Sequence, residues 1–229
     1  MPTSNPEERY FETDAFKFLS DLSRNNNREW FQKNKARYEN AVQTPALRFI
    51  EAMGLRLSKL SPHIVADARP FGGSLSRIYR DTRFSKDKAP YKTHVGIHFA
   101  HDRATKEENL PGFFLHLAPG ESMVASGVWH PVPSALKRIR DSIVASPTKW
   151  KKVLDGGLAI EGESYVRVPV GYDAEDPHSD DLRRKDFFAT RPIPDREVVG
   201  VRFGTTFEAA CRQLDPLNAF LADAVGVPW

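Results

Sequence analysis

One cysteine, Cys211, among 229 residues excludes an intrachain disulfide and any zinc site built on several thiolates. Cys211 falls on an apolar helical stripe, so a buried and inert thiol is expected. No apolar run approaches the ~18 residues that a membrane-crossing helix requires. The stretch MPTSNPEERY lacks a basic segment followed by an apolar one, the pattern of a secretory leader. A soluble, cytoplasmic protein with no membrane partner is therefore expected. Neither sign of charge is in large excess: 33 Lys and Arg face 30 Asp and Glu, a formal net charge of +3. Taken over the whole chain, that is too little to argue for a polyanion. Several catalytic signatures are also missing. There is no HExxH, no Gly-x-Ser-x-Gly elbow, and FGGS at 71–74 has neither the spacing nor the lysine of a phosphate loop.

What is present is the material for a core. Hydrophobic residues make up 40% of the chain, with 15 Phe and 4 Trp, well above the composition of disordered segments. Residues 13–61 read as three helices. Thr13 or Asp14 is placed to cap the first, which carries Phe18, Leu19 and Leu22 on one face. Asn26 with Glu29 has the form of a capping box ahead of Trp30, Phe31, Tyr38 and Val42. Thr44-Pro45 starts the third, with Leu47, Ile50, Met53, Leu57 and Leu60 at helical spacing until Ser61-Pro62. The period then changes. Residues 63–68, 74–80, 91–100, 112–118 and 122–130 each read as a strand, with Pro119-Gly120 joining the last two as a hairpin. Helices return at 133–144 and from Ser146-Pro147 to Leu154. Residues 158–172 read as an edge strand broken by Pro169, the acidic run 173–181 as a loop into a short helix, and 187–193 as a further strand. Thr205 with Glu208 is placed to cap a last helix, interrupted or restarted at Asp215-Pro216.

Central strands with helices before and after predict an α+β fold. We expect an antiparallel or mixed sheet of about five to six strands, in a single domain over 1–229 whose first twelve residues form a flexible segment. No repeat, low-complexity tract or long linker interrupts it.

Three stretches, NNNREWFQKNKARYE, RIYRDTRFSKDKAPYKTH and FFATRPI, together with the order of segments, resemble a bacterial family known as domain of unknown function 2461. The resemblance runs from about Phe16 to about Ala224. It implies one domain spanning the chain and carries over no activity, cofactor or catalytic residue.

The densest charge lies in the second of these stretches. Between Arg77 and Lys92 there are six Lys or Arg against two Asp. Guanidinium and ammonium groups converging on one end of a sheet fit phosphate or carboxylate oxygens. Arg77, Arg80, Arg83 and Lys92 are the candidate anion ligands, and the interleaved Tyr79, Phe84 and Tyr91 offer surfaces for stacking bases. The bland alternative is a solvated hairpin tip in which Asp81 and Asp87 pair locally with Arg83 or Lys88. Arg77 and Arg80 have the stronger claim, because they interrupt an apolar strand pattern where a charge needs a partner.

Four histidines can be related through strand geometry. His94 and His98 share a face, His116 lies on the corresponding side of a strand that can neighbour theirs, and His130 ends the next. Two strand residues four apart stand about 13 Å from one another, too far to share an ion. A set of one of them with His116 and Asp81 would need a register that the sequence leaves open. No metal and no cofactor are therefore expected. His63, His101 and His178 sit in turn-like contexts and are expected at the surface. Ser126 and His130 are likewise too far apart on one strand to form a nucleophile–base pair.

The leading expectation is a protein that binds a phosphate-bearing ligand or a nucleic-acid backbone through the basic segment 77–92. The alternative is an enzyme, such as a hydrolase, on a phosphorylated or carboxylate substrate. There the same arginines would hold the anion, and His94, His116 or Asp81 would serve catalysis. A protein-interaction module is the third reading.

Overall fold

The computed structural model describes residues 8–83, 85–105 and 107–229. Its centre is one antiparallel sheet of four strands: β1 (Val95–Phe99), β2 (Gly112–Leu117), β3 (Met123–Val128) and β4 (Phe187–Pro192), in that spatial order. The α+β class holds, but the sheet is smaller than expected. Residues 63–68 and 74–80 form isolated bridges rather than strands: Ile64 pairs with His101 beyond the end of β1, Leu75 with Ile97 of β1, and Tyr79 with Tyr91. Between them Pro70 and Gly72-Gly73 break the extended path, so neither segment sustains a ladder. Residues 158–172 likewise give only isolated bridges, Glu161 to Phe188 and Ser164 to Arg184.

Alternation sorts the sheet into two faces. Val95, Ile97 and Phe99 pair with Leu117, Leu115 and Phe113, and all six are buried. The opposite face carries Gly96 against His116 and His98 against Phe114. The hairpin between β2 and β3 turns at Pro119-Gly120 as expected, with Gly120 at a φ of 76° that a side chain would oppose.

Helices cover the apolar face. The first part of the chain forms α1 (Thr13–Arg24), α2 (Arg28–Lys33), α3 (Lys35–Tyr38) and α4 (Thr44–Leu57). A π-helical turn at Glu39–Gln43 joins α3 to α4, so Thr44 does not cap a new helix. The wide turn directly precedes Pro45, whose missing N–H breaks the regular ladder. Later come α5 (Pro133–Ala145), α6 (Pro147–Asp155), the one-turn α7 (Ser179–Leu182) and α8 (Asp195–Val198), and the long α9 (Phe203–Val225). The α9 helix continues through Pro216 without a restart. It also begins ahead of Thr205, so Thr205 and Glu208 are not its cap. Glu208 instead accepts a hydrogen bond at 3.1 Å from the buried Arg56 of α4.

The core is aromatic where α4 and α9 meet the sheet. Phe49 of α4 stacks on Phe203 at 5.0 Å, meets Phe207 edge-on at 5.1 Å, and lies 6.4 Å from Phe99 of β1. Tyr10 and Phe11, within the stretch expected to be flexible, are buried in this same cluster. Cys211 is fully buried, and burial pushes its thiol far up, as an inert core residue requires. None of the helices among the described residues is long and apolar enough to cross a membrane.

Candidate anion site

The basic segment forms an arm fastened at both ends. Ser76 N–H donates to the Gly96 carbonyl at 2.9 Å, and His98 N–H to the Ser74 carbonyl at 2.8 Å, which ties its start to β1. Further out, Arg80 N–H donates to Pro90 and Lys92 N–H to Ile78, closing the arm into a hairpin around the bridge between Tyr79 and Tyr91. The base is held by the turn between α1 and α2. Asn26 accepts from Tyr91 N–H at 3.0 Å and donates to the Tyr91 carbonyl at 2.9 Å. The side chain capping α2 is the next residue, Asn27, which accepts from Trp30 N–H. The expected capping box is thus displaced by one position, and Asn26 is left for the arm.

Tyr91 is not the stacking surface that the sequence led us to expect. It is buried and lies flat on Phe31, with ring centroids 4.1 Å apart. Tyr79 is about half exposed and is the tyrosine of the pair that a ligand can reach. Phe84, the third interleaved aromatic, lies outside the described residues.

The cations divide into two groups. Arg83 holds Asp81 with several hydrogen bonds, and its guanidinium keeps that carboxyl down at about 2. Arg80 pairs with Asp87, which is the local pairing anticipated for Lys88; Lys88 donates instead to the Thr82 carbonyl. Arg77 and Lys92 have no carboxylate within ion-pair distance among the described residues. Lys92 is half-buried, and its pKa is lowered first by that burial and then by the nearby Arg77. Two cations that repel each other beside a partly desolvated surface are a standing electrostatic penalty.

Between the arm and the α1–α2 turn lies a cleft of about 660 Å³, lined by Ser23, Asn26, Arg80, Lys92, Thr93 and His94, and also by the carboxylates Asp81 and Asp87 that pair with Arg83 and Arg80. A second hollow of about 330 Å³ lies across Arg80, bounded by Arg28, Gln32 and Tyr79. The two share Arg80 and Tyr91.

Of the expected histidines, two come together. The Gly96–His116 pairing puts His116 diagonally across from His94, and their rings lie 4.5 Å apart. Burial first, then His116 and Lys92, push His94 down to about 4; burial lowers His116 as well. Both are neutral imidazoles near neutral pH. His98 rests on Phe114 at 4.4 Å and keeps contact with solvent, while desolvation first and then Lys92 lower its pKa as well. Gly96 permits that layer, because a Cβ there would meet the Phe114 ring at 3.1 Å. His130 is held elsewhere, its backbone N–H donating to the buried Asp186 at 2.7 Å. Ser126 is buried and donates to the Leu214 carbonyl, which removes it as a nucleophile.

The set of His94, His116 and Asp81 does not assemble. The three-residue group of metal-ligating side chains among the described residues is His63, His101 and Asp102. His101 was expected at the surface and is buried at 2% exposure, because the bridge to Ile64 draws it under the C-terminal residues. Only the adjacent His101-Asp102 pair was visible as a signal; its convergence with His63 depends on that long-range bridge.

A family model described as a conserved hypothetical protein (DUF2461) matches residues 14–220. No curated protein matches the chain, and no solved structure does. The match covers most of the chain, and the protein belongs to this family, the domain of unknown function 2461.

Proposed function

We propose that the cleft beside the arm binds a phosphate-bearing small molecule, gripped by Lys92, with Arg80 also in its wall and the exposed Arg77 near Lys92 outside the lining. One observation carries this reading: half-buried Lys92 lines the cleft with no ion pair of its own and with Arg77 repelling it, while Arg80 and Arg83 are paired with Asp87 and Asp81 and Arg77 feels Asp81 only at longer range. An anion between the unpaired cations relieves their mutual repulsion and supplies the hydrogen-bond acceptors they lack. The cleft is bounded on one side by the α1–α2 turn and on the other by the arm, which favours a compact ligand over an extended backbone. The site residues are thereby narrowed from the four cations named at the outset to Lys92 and Arg77 first, with Tyr79 reachable from the second hollow.

Calorimetry with inorganic phosphate and with nucleoside phosphates tests this. Lys92→Ala and Arg77→Ala are each expected to weaken binding about ten- to hundredfold, the usual loss for a hydrogen bond to a charged group. Lys86→Ala at the tip is expected to change affinity less than twofold. Equal small losses from all three variants would remove the site. Tight binding of an oligonucleotide, falling steeply with salt, would instead favour a nucleic-acid backbone.

A second reading has its own observation in the His94–His116 pair. His94 lines the cleft as a neutral base, and a bound anion would raise its pKa toward the range useful for proton transfer. That is the arrangement for a hydrolase acting on a phosphate ester, with His94 as the proton carrier. Asp81 also lines the cleft, where Arg83 holds it ionised and makes it the weaker base of the two.

A further inference from the structure

The loop after α4 meets the loop after β1 outside the regular sheet. Ile64 bridges His101, and Asp102 N–H donates to the His63 carbonyl at 2.8 Å. This sets the side chains of His63, His101 and Asp102 together, with one donor atom from each within 4.8 Å of the others.

The hydrogen bonds assign the protons. His101 Nε2 lies 2.8 Å from the Pro228 carbonyl. A carbonyl oxygen only accepts, so Nε2 carries the proton and Nδ1 of the neutral ring is a bare lone pair. The Arg103 backbone N–H donates to that Nδ1 at 3.1 Å, which also requires it to be unprotonated. Yet Asp102 Oδ1 lies 3.1 Å from the same Nδ1. Two electron-rich atoms at that separation repel, and the Arg103 N–H offsets this only in part. On the other side, Asp102 Oδ2 lies 2.9 Å from His63 Nδ1. The carboxylate is thus placed between two imidazole nitrogens.

We propose that His63, His101 and Asp102 form a binding site for a divalent transition-metal ion of the zinc type. Two imidazoles and one carboxylate suit zinc, whose bonds of about 2.0–2.2 Å put neighbouring donors about 3.3 Å apart in a tetrahedron. His63 Nδ1 lies 2.9 Å from Asp102 Oδ2 and His101 Nδ1 lies 3.1 Å from Oδ1, so each imidazole meets its own oxygen of the one carboxylate at a separation near that value. The Nε2–H bond to Pro228 is the kind of outer contact that fixes a ligating ring in the correct tautomer. Asp102 is exposed, which leaves a coordination position open to water. Two adjustments are required. The rings lie nearly parallel, 8° apart with centroids at 5.3 Å, so half-buried His63 must swing to aim its lone pair at the ion. The Arg103 N–H must also give up its contact with Nδ1.

The site differs from the histidine sets considered from sequence, which were drawn from the sheet strands. Its two loops are joined through His101 to the C-terminal residues, where Trp229 Nε1–H donates to the Asp215 carboxylate at 3.0 Å. An ion there would clamp the loops and the C-terminus as one unit, and so would raise thermal stability rather than serve the cleft.

The test uses full-length protein purified without a histidine tag and stripped with a chelator. Cobalt is titrated in and followed by its visible absorption, and zinc is measured by equilibrium dialysis. About one equivalent per chain is expected, with a rise in melting temperature on adding zinc. His63→Ala and Asp102→Asn, each confirmed as folded by circular dichroism, are each expected to abolish binding, while His94→Ala leaves it intact. No saturable binding by the unaltered protein would overturn the proposal. So would binding that survives His63→Ala or is lost with His94→Ala.

Discussion

Phe49→Ala is expected to destabilise the protein by about 3–5 kcal/mol, the range for removing a fully buried phenylalanine. The ring is 0% exposed and touches rings from three directions: Phe203 and Phe207 of α9, Phe99 of β1, and Tyr10 ahead of α1. Its loss leaves a cavity where the helical layer joins the sheet, and flat rings on all sides cannot collapse to fill it. Urea unfolding followed by far-ultraviolet circular dichroism gives the measurement. A loss below about 1 kcal/mol would mean that α4 and α9 do not pack on the sheet as described.

The second large effect is a loss of stability in mild acid. His94 titrates at about 4 in the folded chain, against 6.5 for an unperturbed imidazole. The unfolded chain therefore binds more protons between these values, so folding stability rises with pH across the window. The contribution is complete above about pH 6.5, is lost as pH falls toward 4, and changes no further below. The full shift corresponds to about 3 kcal/mol, and solvent around a half-buried ring reduces this to about half. His116 and His98 are shifted the same way and add to the slope. The paired carboxylates act lower on the scale: Asp81, depressed to about 2, loses its contribution only as pH falls from its ordinary 3.8 through that value. Unfolding curves for the protein and for His94→Gln at a series of pH values should differ in slope between pH 6.5 and 4. Parallel curves would show that His94 is not desolvated as described.

Much of the fold was legible because its signals are local. The alternation in 112–118 and 122–130 and the Pro119-Gly120 turn specify a hairpin without reference to the rest of the chain. Where pairing is long-range, the sequence misleads. Residues 74–80 have strand-like composition, but their partners are split between β1 and residues 90–92, so they form an arm instead of a strand. The site follows the same division. That 76–94 is a basic segment with two carboxylates is visible in the sequence. That Asp87 takes Arg80, leaving Arg77 and Lys92 unpaired, depends on how the arm closes. Nothing local distinguishes Tyr79 from Tyr91 either; contact with Phe31 and Asn26 buries the second. The group of His63, His101 and Asp102 joins residues almost forty positions apart, and no spacing rule anticipates it.

The anion site is tested most directly by following His94 through imidazole nuclear magnetic resonance while pH is varied with and without inorganic phosphate. Without phosphate, its protonation midpoint should lie near 4, held there by burial and by His116 and Lys92. If phosphate binds between Lys92 and Arg77, its negative charge beside His94 should move that midpoint upward, saturably, and Lys92→Ala should greatly weaken the phosphate dependence. A midpoint that stays in place at every phosphate concentration would contradict an anion site in this cleft.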